Sequence, residues 1–157
     1  MIRLTETKID IGKIVNPDLI SLDLKGKNKA EIIDELSDLL TKDGDVIDKE
    51  AFVEDVFKRE EEGETGIGQG VAIPHGKSKA VVNTTIAIGL SDHPIEWETL
   101  DDKPVSIIIL FAVRDQDAST LHLKLLQQVA MLLSDDGFID NLRNAKTKEE
   151  IINLLSS

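Results

Sequence analysis

The stretch "VSIIILFAV", Val105 to Val113, decides the fold. Nearly every residue in it is β-branched or aliphatic, with no polar alternation, and such a run reads as a central strand covered on both faces. It is far shorter than the ~20 apolar residues that span a bilayer. A turn over Asp101 to Pro104 precedes it. The polar loop "RDQDAS" follows, and then a helix from near Ser119 or Thr120 to about Ser134. Working outward, "TTIAIGL" (84–90) and "VAI" (71–73) read as further strands, and "DLISLDL" (18–24) alternates like a half-buried one. Asp92-His93-Pro94 reads as a turn.

Helical stripes fill the gaps. "NKAEIIDELSDLL" (28–40) places apolar side chains at 32, 33, 36, 39 and 40, with Asn28 as N-cap, Glu31 three residues on, and Gly44 to end it. A second helix runs from Asp48 through Arg59 with Phe52, Val53, Val56 and Phe57 inward, until "REEEGETG" breaks it. A short helix over Phe138 to Asn144 and a last one opened by the Thr147–Glu150 capping box complete the chain. Strands and helices alternate, without repeat or linker. The expected fold is α/β: a single-domain sandwich with a mixed central sheet flanked by helices, spanning 1–157 with its core over about 9–155.

Composition narrows the function classes. The net charge is -12 and the pI about 4.6, so the chain lacks the basic stripe a nucleic-acid binder uses to replace phosphate counterions. There is no cysteine, hence no thiolate nucleophile and no Cys-held zinc. The opening "MIRLTETKIDIGK" has no apolar signal-peptide core. The expectation is a cytoplasmic protein without direct membrane insertion.

The chemistry concentrates in "GIGQGVAIPHGK" (66–77). Its glycines are spaced GxGxG rather than GxGxxG, and they precede a strand where a dinucleotide fingerprint needs a helix. "HGKS" (75–78) fails as a P-loop, because Val71 stands where the first glycine belongs and no helix follows. The three histidines, 75, 93 and 122, have no zinc-site spacing, and His93 reads as surface. His75 follows Pro74, which holds Ile73 extended, while Gly76 lets the chain turn away. It is read either as a partly buried polar residue at a turn or as a presented functional group. His122 shares a helix face with Leu125, Leu126, Val129 and Leu133, so it points inward. There the helix N-terminus favours a neutral ring, either as a core histidine or as part of a site. Arg59 serves its helix C-terminus or turns to an anion held by the backbone amides of Thr65, Gly66, Ile67 and Gly68.

With "KRE" (58–60), "TGIGQGVAIPHGK" (65–77), "LHLKLL" (121–126) and "DDKPVSIIILFAV" (101–113) together, the sequence resembles the EIIA component of the bacterial phosphoenolpyruvate:sugar phosphotransferase system, of the fructose–mannitol–nitrogen type. The likeness covers essentially the whole chain, and its Ile-Pro-His-Gly motif is specific. It implies that His75 accepts a phosphoryl group from phospho-HPr and hands it to a IIB domain, usually to a cysteine. It implies further that His122 and Arg59 match the second histidine and the arginine of the family's site. The role implied is sugar uptake, fructose-like ahead of mannitol-like, and the alternative is a nitrogen-type regulatory phosphoprotein that controls partners by binding. Neither cofactor nor metal is called for, since transfer between histidines starts from an activated donor.

The residue types suit that chemistry. A neutral imidazole is a good nucleophile near neutral pH. Phosphoryl transfer, with charge spread over equatorial oxygens, depends on positioning and on nearby positive charge.

Overall fold

The computed structural model describes residues 10–156, so the reading of residues 1–9 lies outside it. Asp10 caps a short helix α1 (Ile11–Ile14) that the sequence reading missed. Asn16 then accepts from the Asp18 N–H and starts a 3-10 turn at Pro17–Leu19. Strand β1 (Ile20–Ser21) follows. The strand expected over 18–24 is thus only two residues long, because proline and a capped turn occupy its start.

Helix α2 (Lys29–Lys42) opens as expected: Asn28 accepts from the Glu31 N–H, and the Glu31 carboxylate accepts from the Lys27 N–H at 2.9 Å. Helix α3 (Lys49–Glu62) is longer than expected. "REEEGETG" does not break it at Arg59, since glutamates are good helix formers and Gly63 is the first residue outside. Arg59 therefore lies in the last turn.

Next come β2 (Gly66–Gly68), β3 (Val71–Ala72), β4 (His75–Ser78), β5 (Thr85–Ile95) and β6 (Val105–Arg114). Helices α4 (Leu121–Leu133), α5 (Asp136–Arg143) and α6 (Lys148–Leu155) end the chain. In α6, Thr147 accepts from the Glu150 N–H as its capping box requires. The sheet order is β1-β5-β6-β3-β2, with β4 also paired to β6. β5 runs antiparallel to β6, whereas β3 and β4 run parallel to it, so the sheet is mixed. β6 is its centre, with Ile107 to Val113 no more than 1% exposed. Helices flank this sheet around one aliphatic core that takes in α1, α2, α3, α4, α5 and α6.

Two departures have local causes. The turn expected at Asp92-His93-Pro94 lies inside β5. The register shifts between Leu90 and Ile95, and such an irregularity accommodates a proline that has no N–H for the ladder. The chain also does not turn away at Gly76, because β4 continues to Ser78 along β6. β3 and β4 are two pieces of one line against β6, and Pro74 joins them. Its carbonyl accepts from the Phe111 N–H at 2.9 Å.

Among the described residues no helix is long and apolar enough to cross a membrane.

Candidate functional site

β4 sets the geometry. Its register puts His75 opposite Phe111 of β6, and the two rings stack with centroids 4.6 Å apart and planes 5° from parallel. Side chains alternate across a strand, so Gly76 faces the other way, onto Phe52 and Val56 of α3. His122, the second residue of α4, meets the His75 ring edge-on at 5.2 Å and 87°. Both histidines are buried, at 8% and 6% exposure.

A cavity of about 330 Å³ opens over this pair, lined by Arg59, Glu64, Thr65, Ile67, Ile73, His75, Lys77, His122 and Leu126. His75, His122 and Arg59, distant in sequence, are brought together there. The glycine segment is divided. Thr65 and Ile67 line the cavity, but Gly66 and Gly68 do not. The Gly66 N–H donates to the Glu98 carbonyl at 3.1 Å, so it is committed within the protein. Gly68 and Gly70 flank Gln69 in a turn whose φ angles are 94°, 58° and 79°, a left-handed run that explains two of the glycines by backbone conformation alone. Arg59 Nη1 donates to the Gly63 carbonyl at 3.2 Å, so the guanidinium closes its own helix end while also facing the cavity.

Lys77 is the residue that sequence reading passed over. It lies two positions beyond His75 in β4 and lines the same cavity. The period-2 spacing from His75 was the available signal, but it carries meaning only once 75–78 is known to be a strand.

Burial is the main cause that pushes the His75 ring down from 6.5 to about 4; a proton on His122, were one bound, and the charges of Arg59 and Lys77 push the same way, while a backbone hydrogen bond at Ile73 opposes them. His122 is lowered as well, by burial first and Lys77 next. Both rings are therefore neutral near pH 7. Among the described residues neither Nδ1 has a hydrogen-bond partner, and both are enclosed. The arrangement offers a neutral, ring-stacked imidazole beside two cations, which suits nucleophilic attack on an anionic phosphorus centre.

The sequence profile of the family "Phosphoenolpyruvate-dependent sugar phosphotransferase system, EIIA 2" matches residues 13–157. The chain belongs to this EIIA family. Among EIIA relatives, the fructose-specific EIIABC component of Bacillus subtilis is 32% identical over 146 residues, 93% of this chain but 23% of that protein. The chain thus spans about a quarter of the length of that multidomain relative. The fructose-specific EIIA component of Haloferax volcanii is 31% identical over 147 residues, covering 94% of this chain and 95% of the relative. The crystal structure of the nitrogen regulatory protein IIA-Ntr from Neisseria meningitidis superposes with a TM-score of 0.85 at 32% identity, over 92% of this chain and 98% of that one. The EIIA fold expected from the sequence is thus the fold observed, and both sugar-type and nitrogen-type members stand near the chain.

A depressed histidine pKa has a signed consequence. Between pH 6.5 and about 4 the unfolded chain binds a proton at position 75 that the native state refuses, so stability falls as pH drops through that window. Lys77→Gln removes a cation that disfavours protonation of both rings. NMR titration of the ring protons is expected to show both midpoints moving up, because the Lys77 charge disfavours protonation of each ring. Unmoved midpoints would show that the Lys77 ammonium is screened from the cavity.

Proposed function

We infer that this chain, acting as one EIIA domain over 1–157, is a phosphohistidine carrier. It takes a phosphoryl group from phospho-HPr onto His75 and passes it to a IIB domain of a sugar permease, fructose-like in preference to mannitol-like. The observation that carries the reading is the neutral, buried His75 stacked on Phe111 and facing a cavity with Arg59 and Lys77 in its wall. With Nδ1 enclosed, Nε2 is the nitrogen left to attack. The donor N–P bond breaks as the Nε2–P bond forms, and the bonding pair returns to the donor ring. The proton on Nδ1 stays in place, and the three phosphoryl oxygens travel with phosphorus. Arg59 and Lys77 meet the charge on those oxygens, and His122 holds the His75 ring edge-on. His122 is packed on His75 and Arg59 is tied to the Gly63 carbonyl before the donor arrives, which limits the reorganisation that accompanies transfer.

Such a carrier works where HPr is, in the cytoplasm. Its two partners dock in turn around one cavity, which calls for small, transient interfaces. A nitrogen-type regulatory role shares every one of these site features, and the likeness to the Neisseria protein over 98% of its length favours keeping it as the second reading. A relay assay separates them. The chain is phosphorylated with phosphoenolpyruvate, enzyme I and HPr, then mixed with a purified fructose-type IIB domain. Rapid loss of phosphate from His75 onto IIB supports the transport role. Phosphate retained on His75 through repeated contact with sugar-type IIB domains points to the regulatory one.

A further inference from the structure

Thr65 is 2% exposed and lines the histidine cavity. Its backbone is fixed, since its carbonyl accepts from the Ile73 N–H at 2.9 Å. The indole Nε1–H of Trp97 donates to Thr65 Oγ1 at 2.8 Å in a buried hydrogen bond. An indole nitrogen only donates, so the threonine oxygen is the acceptor there, and its own hydrogen must go elsewhere. Among the described residues that hydrogen has no acceptor.

Trp97 is itself held from behind. It is 8% exposed and forms part of a second, wider cleft of about 1160 Å³. On that side the Lys29 ammonium sits 5.5 Å from the ring centroid. Lys29 Nζ is tied to Glu60 at 2.8 Å and Glu98 at 2.7 Å. Glu60 is the neighbour of Arg59 on α3. One connected set of contacts thus runs from α3 through Lys29 and Trp97 to the hydroxyl of Thr65, a residue of the cavity wall.

On the phosphocarrier reading above, we propose that the Thr65 hydroxyl donates a hydrogen bond to a phosphoryl oxygen, and that Trp97 is the positioning residue that aims it. The indole takes one of the two lone pairs on Oγ1 and so restricts the hydroxyl's rotation, which leaves the O–H as the group available to donate to the anion. Thr65 keeps its proton throughout, and Trp97 never touches the phosphoryl group. A hydroxyl-to-oxyanion bond is charge-assisted, and it strengthens as the loose transition state spreads charge onto the equatorial oxygens.

The test measures single-turnover transfer from phospho-HPr to His75, as a saturating rate and an apparent KM. Thr65→Val keeps the shape and removes the hydroxyl. Its saturating rate is expected to fall on the order of 10²-fold, the scale of losing one preorganised donor, with KM unchanged. Thr65→Ser is expected to stay within about 2-fold of the parent, and Trp97→Phe to fall about 10-fold. The double variant should be no slower than Thr65→Val, because the indole acts only through the hydroxyl. A Thr65→Val protein at the parental rate, or a Trp97→Phe loss that persists undiminished in the Thr65→Val background, overturns the proposal.

A second measurement avoids any question of folding, because the chain has a single tryptophan. The Trp97 indole N–H resonance of the unaltered protein is expected to shift when His75 is phosphorylated. A phosphorylated parent with an unmoved indole signal overturns this inference alone. A parent that takes no phosphate on His75 overturns the carrier reading, and this inference with it.

Discussion

His75→Ala is expected to take up no acid-labile phosphate from phospho-HPr, a loss limited only by assay background. The substitution removes the acceptor nitrogen, and no neighbour replaces it. His122 is the nearest imidazole, edge-on at 5.2 Å, and its assigned part is to orient His75 rather than to take the group. The protein should remain folded. His75 contributes a stacked contact with Phe111, but it also places an unpartnered Nδ1 in the interior, and these oppose one another. A net change of about 1 kcal/mol in either direction follows from the typical worth of each. Two controls sharpen the result. His122→Ala and Arg59→Ala are expected to slow transfer on the order of 10–10²-fold while leaving His75 competent, because they supply orientation and charge rather than the bond. Labelled phosphate on the His75→Ala protein, measured beside an unaltered thermal transition, would remove His75 from the mechanism altogether.

How much of this could be read from sequence depends on the range of the interaction that enforces each feature. Helices α2 and α6 were legible down to their caps because Asn28–Glu31 and Thr147–Glu150 are local pairs. β6 was legible because burial on both faces leaves an unbroken apolar run. β4 was not, since nothing in "HGKS" alternates in hydropathy. It is a strand only because Phe111 to Arg114, far along the chain, offer it a ladder. The same blindness hid Lys77, whose place beside His75 follows from that strand. His75, His122 and Arg59 were singled out by their local settings and given roles by the family resemblance, and all three line one cavity. The Trp97–Thr65 bond spans 32 positions and has no local signature, while the amide cradle expected over Thr65 to Gly68 did not foresee the Gly66 N–H being committed to Glu98.

Gly76 shows what that missing strand conceals, and it carries the second large effect. Read as a turn residue, Gly76 would tolerate alanine if its φ allowed it, at little energetic consequence. In the structure it lies within β4, and a Cβ there would meet Phe52 Cε1 at 2.4 Å, Val56 Cγ2 at 2.7 Å and Phe52 Cζ at 2.9 Å. Phe52 and Val56 are both 0% exposed, so neither can swing into solvent. Helix α3 rests directly on the β4 backbone, and one methyl group must lift it. Overpacking of this kind destabilises by about 1–3 kcal/mol, and a chain of this size loses roughly 2–4 °C of Tm per kcal/mol. Gly76→Ala is accordingly expected to unfold several degrees below the parent. Phe52→Leu should recover part of that loss in the double variant, although alone it is destabilising, because the smaller side chain vacates the ring positions the new methyl would hit. The strain also reaches the chemistry. α3 carries Arg59, and β4 carries His75 and Lys77, so separating the two elements widens the cavity by moving a guanidinium away from the imidazole it faces. Phosphoryl acceptance should therefore fall in Gly76→Ala even at temperatures where the variant is fully folded, and recover with stability in the double variant. An alanine variant with the parental Tm would mean that α3 yields freely, and then the α3–β4 contact could not be what fixes Arg59 beside His75.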